Sequence, residues 1–367
     1  MKTDVAIIGG GPAGAATALM LRKQFPRLQV AIIERGCYDR VRIGESLQPV
    51  ARPLLQQLAV WDAFLAENHL PAYGSRAAWG TATPHDNEYL FQTHGNGWHL
   101  DRCRFDAFLA RCAEEAGVVL LCETRLTSRV SGSPGAWRLS LDGAHGPITM
   151  DANFVVDASG RGATFARGRG ARKAVHDRLI GTWHYFEQSS CDSYTLVEAV
   201  ADGWWYSAKL PDGRLVVSLM SDQGKRNWME ALAQTQLTAA RIGKAQRVGQ
   251  QGVTPAYSQC LQEVAGPGWM AVGDAAATLD PLSSQGIFKA LRSGIFAAYS
   301  LGDHLVGKAG GLKRFQQYVH QEYRAYLNTR TQYYRRERRW ADQPFWRNRH
   351  RTLTFAADSR VTEQQSV

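Results

Sequence analysis

Hydrophobic and polar positions in the first 35 residues of the chain follow the pattern of two short strands separated by one helix. Residues 5–8 and 29–33 are apolar runs of strand length, and residues 12–22 have the spacing of an amphipathic helix. A GxGxxG turn at 9–14 joins the first strand to the helix, and Glu34 follows the second strand, twenty positions after the last glycine of the turn. This order predicts a strand–turn–helix–strand unit that binds a dinucleotide.

Each residue of this unit has a physical role in dinucleotide binding. Gly9 permits the tight turn, Gly11 has no Cβ and lets a pyrophosphate approach the backbone, and Gly14 lets the helix pack close to the strand. The first turn of the helix, which contains Pro12, presents free N–H groups and the positive end of the helix dipole to the phosphates. Glu34 can accept hydrogen bonds from a ribose hydroxyl.

Further along the chain, strand-like and helical segments alternate in blocks. The periodicity predicts strands within 76–99, 118–130, 136–141, 148–156, 182–220 and 269–272, and helices over 50–65, 101–117, 227–242, from 282 onward and over 312–339. The helix at 101–117 is well marked, since Asp101 can cap its start and Gly117 can end it. The nucleotide-binding elements are split by a sheet-rich insert, which predicts two domains with discontinuous boundaries.

The composition limits the classes of protein to which the chain can belong. Of the 367 residues, 44% are hydrophobic. No apolar stretch approaches the ~18 residues that a membrane span needs, and the N-terminus shows no secretion signal. We therefore expect a cytoplasmic protein with two connected domains. The six cysteines form no CxxC pair, which favours reduced thiols and no metal site.

The net charge of +10 is unevenly distributed along the chain. Residues 333–351 contain the runs RRERRW and WRNRHR, a basic segment with interleaved aromatic residues. Such a segment can dock an acidic protein or form a solvated helical face, and the sequence leaves both alternatives open. We find no nucleic-acid-binding motif and expect no nucleic-acid partner. From about residue 356 the chain is polar, which predicts a frayed end.

Two further motifs lie at the ends of later strands. The segment FVVDASGRGATFAR at 154–167 begins as an apolar strand that ends at Asp157. Another strand ends at Asp274 and is followed by a proline loop at 280–286 and a helix that starts near Gly286. A carboxylate such as Asp274 can bind a ribityl hydroxyl, and the dipole of the helix, worth about 0.3–2 kcal/mol, can stabilise the negative charge of a reduced flavin.

Together the three motifs resemble the family of FAD-dependent monooxygenases typified by para-hydroxybenzoate hydroxylase, which also includes geranylgeranyl reductases and flavin-dependent halogenases. The resemblance covers about residues 1–310. It implies an α/β fold (α+β overall), with a glutathione-reductase-like, FAD-binding Rossmann domain, an inserted β-sheet substrate domain and a C-terminal helical segment. The expected boundaries are 1–75, 100–170 and 265–310 for the FAD-binding domain, 76–99 and 171–264 for the sheet domain, and 311–367 for the C-terminal helices and basic tail.

The same resemblance implies which positions contact the cofactor. These are Gly9, Gly11, Pro12, Ala13, Gly14, Glu34, Arg35, Arg42, Arg104, Asp274, Pro281, Ser284, Gln285, Gly286 and Ile287. Within the proline loop at 280–286, which we call the flavin loop, residues 281–286 are expected to border the isoalloxazine ring. No second GxGxxG follows, so we expect no separate NAD(P)H domain. The resemblance implies that NAD(P)H or a flavin reductase supplies the electrons and that molecular oxygen is consumed.

Halogenases within this family carry a GWxWxIP segment and an active-site lysine well upstream of the strand that ends at Asp157. The matching segment here is GWWYSAKLP at 203–211, in which Tyr206 replaces the second tryptophan and the proline is displaced. No lysine occurs between Lys23 and Lys173. The sequence therefore disfavours halogenation.

The sheet-rich insert contains many aromatic and hydrogen-bonding side chains, whereas a geranylgeranyl reductase needs a long aliphatic tunnel. The insert is better suited to a planar aromatic substrate. The residues expected to line its pocket are Trp204, Trp205 and Tyr206. His184 and Glu198 lie on strand segments and are candidate general acids or bases, and Ser284 is a further candidate in the flavin loop.

The chain also resembles, in length and motif style, the flavoproteins that mature tryptophylquinone cofactors in amino-acid oxidases and quinohemoprotein amine dehydrogenases. This resemblance implies hydroxylation of a tryptophan side chain in a precursor protein, through a flavin C4a-hydroperoxide. The partner is then the precursor of a tryptophylquinone enzyme, docked on the basic C-terminal region. The alternative is a small-molecule FAD enzyme, either an aromatic hydroxylase or a geranylgeranyl-reductase-like alkene reductase. A non-catalytic, FAD-bearing chaperone is the third hypothesis.

Overall fold

The computed structural model of the chain describes residues 1–132, 136–187, 191–222 and 227–356, and the frayed end predicted near the C-terminus lies beyond these ranges. In chain order, the helices are α1 (Pro12–Gln24), α2 (Arg52–Gln57), α3 (Trp61–Ala66), α4 (Arg102–Glu115), α5 (Thr164–Gly168), α6 (Trp228–Ala233), α7 (Leu237–Ile242), α8 (Gly286–Leu305), α9 (Gly311–Arg336) and α10 (Pro344–His350).

The strands complete the description of the elements. In chain order they are β1 (Lys2–Ile8), β2 (Val30–Ile33), β3 (Ser46–Leu47), β4 (Leu70–Ala72), β5 (Gly74–Ala78), β6 (His85–Glu88), β7 (Gly97–His99), β8 (Val119–Leu121), β9 (Arg125–Ser131), β10 (Trp137–Gly143), β11 (Gly146–Asp157), β12 (Lys173–Val175), β13 (Ile180–Phe186), β14 (Thr195–Val200), β15 (Gly203–Lys209), β16 (Leu215–Ser221), β17 (Arg247–Pro255), β18 (Gln259–Leu261), β19 (Ala265–Gly266), β20 (Trp269–Ala271) and β21 (Ala277–Thr278).

Apolar runs that are far apart in the sequence, such as β1 and β20, belong to one eight-stranded sheet. Its order is β19-β20-β11-β1-β2-β8, and β10 and β9 extend it from β11 in antiparallel fashion. β1 pairs in parallel with β2 and β11, and β11 pairs in parallel with β20. All four residues of β2 are buried, which explains why it forms a continuous apolar run in the sequence.

Helices α1 and α8 pack against each other at unusually short range. A Cβ on Gly294 of α8 would lie 2.5 Å from the carbonyl oxygen of Ala13 in α1, so only glycine allows this approach. The two helices are far apart in the sequence but in contact in the folded chain. As a result, the first turn of α1 lies against the third turn of α8.

A seven-stranded sheet forms the second layer, in the order β17-β13-β16-β15-β14-β5-β6. On one of its faces, Trp205 and Leu219 pack against Trp228 of α6. On the other face, Trp204 packs with residues of α9 and α10. A small sheet, β3-β7-β4, contributes a further edge near this second face.

Two of the predicted helices are interrupted in the structure, and the helix predicted over 101–117 forms one continuous helix. The helix expected over 50–65 is divided into α2 and α3, because Ala59 between them has φ 59°, which no α-helix includes. The helix expected over 227–242 is divided into α6 and α7. The helix expected over 101–117 is confirmed as α4, and the side chain of Asp101 accepts the N–H of Arg104 at 3.1 Å.

The basic C-terminal segment is not uniformly solvated. Arg349 of α10 is buried and forms two hydrogen bonds with the carboxylate of Asp222, at 2.6 and 2.8 Å. Arg338 and Arg347 are exposed. The long helix predicted over 312–339 is confirmed as α9, although it ends three residues earlier, at Arg336. Among the described residues, every helix is too short or too polar to cross a membrane.

Candidate active site

The turn after β1 brings two backbone segments into very close contact. Gly9 has φ 109°, and a Cβ there would lie 2.4 Å from the carbonyl oxygen of Ala158. A Cβ on Gly14 would lie 2.0 Å from the carbonyl oxygen of Gly9, so both positions need glycine. A Cβ on Gly11, in contrast, would meet only the guanidinium of Arg42, at 3.9 Å. The free N–H groups at the start of α1 therefore face a space that a pyrophosphate can enter.

The carboxylate of Glu34 lies beside this turn and is held by backbone donors. The N–H groups of Gly10 and Gly36 donate to its two oxygens at 2.8 and 3.1 Å. Arg42 lies 3.6 Å from the same carboxylate and 2.8 Å from that of Asp106. The structure therefore brings two predicted cofactor contacts, Glu34 and Arg42, into one ion-pair group.

A pocket of about 170 Å³ opens next to Glu34. It is lined by Glu34, Arg35, Gly36, Tyr38, Asp39, Arg40, Val41 and Arg42. The hydroxyl of Tyr38 donates to the carbonyl oxygen of Gly10 at 3.2 Å, which fixes the ring at the wall of the pocket. Arg35 is exposed at its rim. The carboxylate and the flanking arginines suit the ribose and base of a dinucleotide.

Arg104, the third arginine expected at the cofactor, is directed elsewhere. It donates to the backbone carbonyl of Glu67 and lies 3.7 Å from the carboxylate of the same residue. Arg102 lies two positions before Arg104 on α4, so the side chains of these two arginines point in different directions. Arg102 donates to the carbonyl oxygen of Gly44 at 3.2 Å, and its charge acts on Asp274. Arg102 also forms an ion pair with Asp106 at 3.2 Å, so it belongs to the group that contains Arg42, whereas Arg104 does not.

Asp274 follows β20 and lies next to a lysine of α8. The ammonium of Lys289 is 2.6 Å from this carboxylate and also donates to the carbonyl oxygen of Ala277. Burial disfavours the charged form of Asp274, but Lys289 and two neighbouring arginines outweigh it and hold the pKa of this carboxyl below its usual range. Asp274 is thus ionised at neutral pH and able to accept a hydrogen bond from a ligand hydroxyl.

The loop before α8 has a defined conformation. Pro281–Ser283 forms a single turn, Ser284 has φ 51°, and α8 begins at Gly286. The side-chain amide of Gln48, just after β3, donates to the carbonyl oxygen of Ser283 at 2.7 Å. A Cβ on Gly286 would meet nothing within 4 Å, so the N-terminus of α8 has open space beside it. Its dipole can act on an anionic group placed there.

Four side chains meet where β3 approaches the seven-stranded sheet, and we call them the polar cluster: Glu45, Ser46, Tyr185 and Tyr206. The hydroxyls of Ser46 and Tyr206 lie 2.9 Å apart. Glu45 is 3% exposed, and its Oε1 has no hydrogen-bond partner among the described residues. Burial raises the pKa of Glu45 to about 7, although Arg102 acts in the opposite direction. Burial and the charge of Glu45 raise the pKa of Tyr185.

The three residues expected to line one aromatic pocket do not share a surface. Side chains alternate along a strand, so Trp204 and Tyr206 lie on one face of β15 and Trp205 lies on the other. The indole N–H of Trp204 donates to the hydroxyl of Tyr334 at 3.0 Å. The ring of Trp205 packs against Trp228, with 4.9 Å between ring centres. The prediction is therefore corrected for Trp205, which belongs to the core under α6.

Two of the acid–base candidates also lie on the α6 face. The ring of His184 is 4.6 Å from that of Trp228, and burial lowers the pKa of His184. Glu198 accepts the backbone N–H groups of residues 236–238 at 2.8, 3.2 and 2.7 Å and the hydroxyl of Thr238 at 2.6 Å. Glu198 thus caps the N-terminus of α7, the point at which the helix predicted over 227–242 is interrupted. Ser284 is the one of the three candidates that lies in the flavin loop.

Sequence reasoning missed Glu45, Ser46, Tyr185 and Arg102 as residues of this region. The strand alternation gave a usable signal for Tyr185, because it separates this residue from His184 and places it on the face of Tyr206. No sequence signal joins Ser46 to Tyr206, since they are 160 positions apart and meet only in the folded chain.

These features together fit FAD. The glycine turn and α1 suit its pyrophosphate, and Glu34 with its pocket suits the adenosine end. Asp274 can bind the ribityl chain, and the start of α8 lies where a ring with negative charge is stabilised. The polar cluster is connected to the loop at 281–286 through β3, because Gln48 just after this strand bonds to Ser283.

Comparison with known proteins shows the family to which the chain belongs. The model of the tryptophan halogenase family matches residues 4–91 and 70–365. LodB of Marinomonas mediterranea, named as an FAD-dependent oxidoreductase, is 30% identical over 364 residues, which cover 95% of this chain and 96% of LodB. Both matches extend over nearly the whole chain, so the family is established.

Two solved structures share the fold. CmlS, a flavin-dependent halogenase, has a TM-score of 0.86 at 25% identity, over 99% of this chain and 70% of CmlS. QhpG, a peptidyl tryptophan dihydroxylase essential for tryptophylquinone cofactor biogenesis, has a TM-score of 0.78 at 24% identity, over 98% of this chain and 82% of QhpG. The predicted fold class, the use of FAD and the oxidoreductase class are confirmed. The chain belongs to the tryptophan halogenase family of flavin-dependent enzymes.

Proposed function

We propose that the chain is an FAD-dependent monooxygenase that hydroxylates a tryptophan side chain of a partner protein, the precursor of a tryptophylquinone enzyme. The polar cluster carries this proposal, since it offers aromatic rings, hydroxyls and a buried carboxyl with one unpartnered oxygen in a segment that Gln48 bonds to the flavin loop. The fold shared with QhpG supports it. The absence of any lysine between Lys23 and Lys173 in the sequence separates the chain from the halogenase pattern.

The residues of the cluster can divide the work of such a reaction. FAD, once reduced and supplied with molecular oxygen, provides the electrophilic oxygen. The rings of Tyr185 and Tyr206 offer flat surfaces against which an indole can pack. The indole ring carbon that gains oxygen must lose a proton, and the carboxylate of Glu45 can accept it, because a pKa of about 7 leaves part of this group ionised at neutral pH.

A mass measurement on the protein partner tests the proposal. The chain is co-expressed with a tagged precursor, and the precursor is captured and its intact mass compared with that from cells that express Gly14→Val. This variant cannot form the glycine turn, because its side chain would overlap the carbonyl oxygen of Gly9. We expect the precursor to gain the mass of one or two oxygen atoms only with the unaltered chain.

The other outcomes separate the alternative functions. A precursor that is captured with unchanged mass indicates a chaperone. Failure to capture a precursor, together with oxidation of NAD(P)H that a free aromatic compound stimulates, indicates a small-molecule hydroxylase. Oxidation that a polyprenyl substrate stimulates, with loss of a carbon–carbon double bond, indicates an alkene reductase. Each of these results contradicts the proposal.

Halogenation is the second candidate, because the family model and CmlS both carry that activity in their names. It is tested in the same assay by adding chloride or bromide. A product that gains the mass of a halogen in place of hydrogen, from free tryptophan or from the precursor, supports halogenation. The proposed hydroxylation instead gives a product mass that is independent of the halide present.

The exposed arginines of the C-terminal region are the surface on which we place the precursor. Arg338 and Arg347 are exposed and positively charged, whereas Arg349 is engaged with Asp222 inside the protein. Charge reversal at the exposed positions should weaken capture of an acidic precursor, and the weakening should diminish at high salt. Arg125→Glu, on the exposed side of β9, makes the same charge change elsewhere and serves as the control.

A further inference from the structure

The C-terminal helix α9 forms several hydrogen bonds with the first residue of the flavin loop. Asp280, the first residue of this loop, is 2% exposed. Its carboxylate accepts the hydroxyl of Tyr334 at 2.7 Å and the guanidinium of Arg330 at 3.2 Å, and its backbone N–H donates to the hydroxyl of Tyr326 at 2.7 Å. Residues 326, 330 and 334 are spaced by four and therefore lie along one face of α9. Three successive turns of this helix thus contact one residue of the loop.

The same carboxylate sets the conformation of the loop itself. Oδ1 of Asp280 accepts the backbone N–H of Leu282 at 3.0 Å, which closes the turn of Pro281–Ser283. Ser284 then adopts φ 51°, and α8 begins two residues later. Any movement of Asp280 is therefore transmitted to the segment that borders the flavin ring and to the N-terminus of α8.

Tyr334 connects this loop to the seven-stranded sheet. Its hydroxyl donates to Asp280 and accepts the indole N–H of Trp204, which can only donate. Tyr334 and Trp204 are both fully buried, so neither bond can be replaced by water without opening the core. The direction of both hydrogen bonds is therefore fixed: Trp204 of the sheet donates to Tyr334, and Tyr334 donates to Asp280 of the loop.

Two charged groups complete the network. Arg330 lies between Asp280 and Asp177, with the latter at 3.0 Å, so one buried cation faces two carboxylates. Arg349 of α10 lies over the ring of Tyr334 at 5.5 Å. Breaking one member of such a buried network leaves the others without their partners, which makes the geometry of the whole group sensitive to a single hydroxyl.

We propose that Tyr334 is a positioning residue for the flavin site: its hydroxyl couples the sheet wall at Trp204 to Asp280 and thereby fixes the loop that borders the flavin ring. Tyr334 acts through Asp280 and does not contact the reacting atoms. This role rests on the flavin loop and holds for hydroxylation, halogenation or reduction alike.

The test compares two tyrosine hydroxyls that are adjacent on α9. Tyr334→Phe removes the hydroxyl in the network and keeps the ring, and Tyr333→Phe removes a hydroxyl from a side chain that is 47% exposed. Each protein is purified with FAD, and we measure the FAD dissociation constant, the visible spectrum of the bound flavin and the hydrogen peroxide released per electron pair consumed. We expect Tyr334→Phe to bind FAD about ten-fold more weakly, with a shifted flavin spectrum and more peroxide. Tyr333→Phe should match the unaltered chain.

A purely structural role for Tyr334 predicts a different result. Tyr334→Phe would then lower the melting temperature and leave the spectrum of the bound flavin and the peroxide yield unchanged, which overturns the proposal. If Tyr334→Phe does not fold, Trp204→Phe provides the second measurement. This variant keeps the bond from Tyr334 to Asp280 and removes the indole donor together with part of a buried ring, so we expect the same changes in the flavin readouts at smaller size, alongside a loss of stability. An unchanged flavin spectrum in a folded Trp204→Phe overturns the coupling.

Discussion

The two faces of the seven-stranded sheet contain consecutive tryptophans that are equally buried and differently used. Trp204 and Trp205 are both 0% exposed. The N–H of Trp204 is bonded to Tyr334 and so to the flavin loop, whereas the N–H of Trp205 has no partner among the described residues and its ring lies against Trp228. Burial alone therefore does not distinguish a residue of the site from a residue of the core.

What distinguishes the faces is the connection of their polar atoms. We call the face that contains Trp204 and Tyr206 the flavin face. There, the polar atoms of these two residues form hydrogen bonds with Tyr334 and Ser46. On the α6 face, the ring of His184 packs against Trp228, and the carboxylate of Glu198 caps α7. Under the proposed function, the flavin face positions the reacting groups and the α6 face supplies stability. Four predictions can break or sharpen this contrast.

Trp205→Ala should have the largest effect, and the effect should be on stability alone. Removal of a fully buried indole leaves a cavity that the neighbouring side chains cannot fill, which costs about 3–5 kcal/mol of unfolding free energy. Urea unfolding measures this loss. The folded fraction should keep the FAD spectrum of the unaltered chain, and a shifted spectrum would contradict the assignment of Trp205 to the core.

Glu45→Gln should change how stability depends on pH. Burial raises the pKa of Glu45 to about 7, so the folded protein retains a proton that the unfolded chain releases near its ordinary pKa of 4.5. The stability of the unaltered chain is therefore highest below that lower value and is lost as the pH rises through about 7. The difference in unfolding free energy should shift by about 3 kcal/mol in favour of Glu45→Gln between acid and mildly alkaline pH.

Unfolding curves at several pH values test this prediction, with Glu115→Gln, an exposed substitution on α4, as the control. Parallel pH profiles for Glu45→Gln and the unaltered chain would show that Glu45 does not carry the shift. Turnover adds an independent reading, since the loss of a proton acceptor should slow product formation more than it weakens FAD binding.

Glu198→Ala should destabilise the protein by about 2 kcal/mol, because three backbone donors at the start of α7 and the hydroxyl of Thr238 lose their acceptor. Glu198→Gln keeps one side-chain oxygen and should recover part of this loss. Thermal unfolding measures both. Equal kcat/KM for the two folded variants and the unaltered chain is expected, and a large fall in kcat for Glu198→Gln would restore its candidacy as an acid or base.

Tyr206→Phe and Ser207→Ala provide the smallest and most direct contrast, because each removes one hydroxyl from neighbouring positions of β15. The hydroxyl of Tyr206 is bonded to Ser46, and that of Ser207 has no partner within the described chain. Tyr206→Phe should cost about 0.5–1.5 kcal/mol and alter turnover, and Ser207→Ala should be nearly neutral in both. Equal effects would remove the distinction between the faces.

The nucleotide-binding half of the molecule was largely predictable because its determinants are local. Gly9, Gly14 and Glu34 lie within 26 positions of one another, and the backbone geometry of the turn depends on the residues that form it. The same locality explains the success at α4, whose cap is contained in its own first residues. Contact of these residues with FAD stays a prediction.

The sequence by itself thus determined the flavin fold, the order of its elements and the cofactor. Tertiary structure alone decided that Trp204 and Trp205 lie on opposite faces of β15, that Arg104 bonds to Glu67 while Arg102 pairs with Asp106, and that α9 bonds to Asp280 of the flavin loop. The physical reason is the range of the contacts. The bond between Trp204 and Tyr334 joins positions 130 residues apart, and no local pattern encodes a hydrogen bond that exists only after the sheet and the C-terminal helix have packed together.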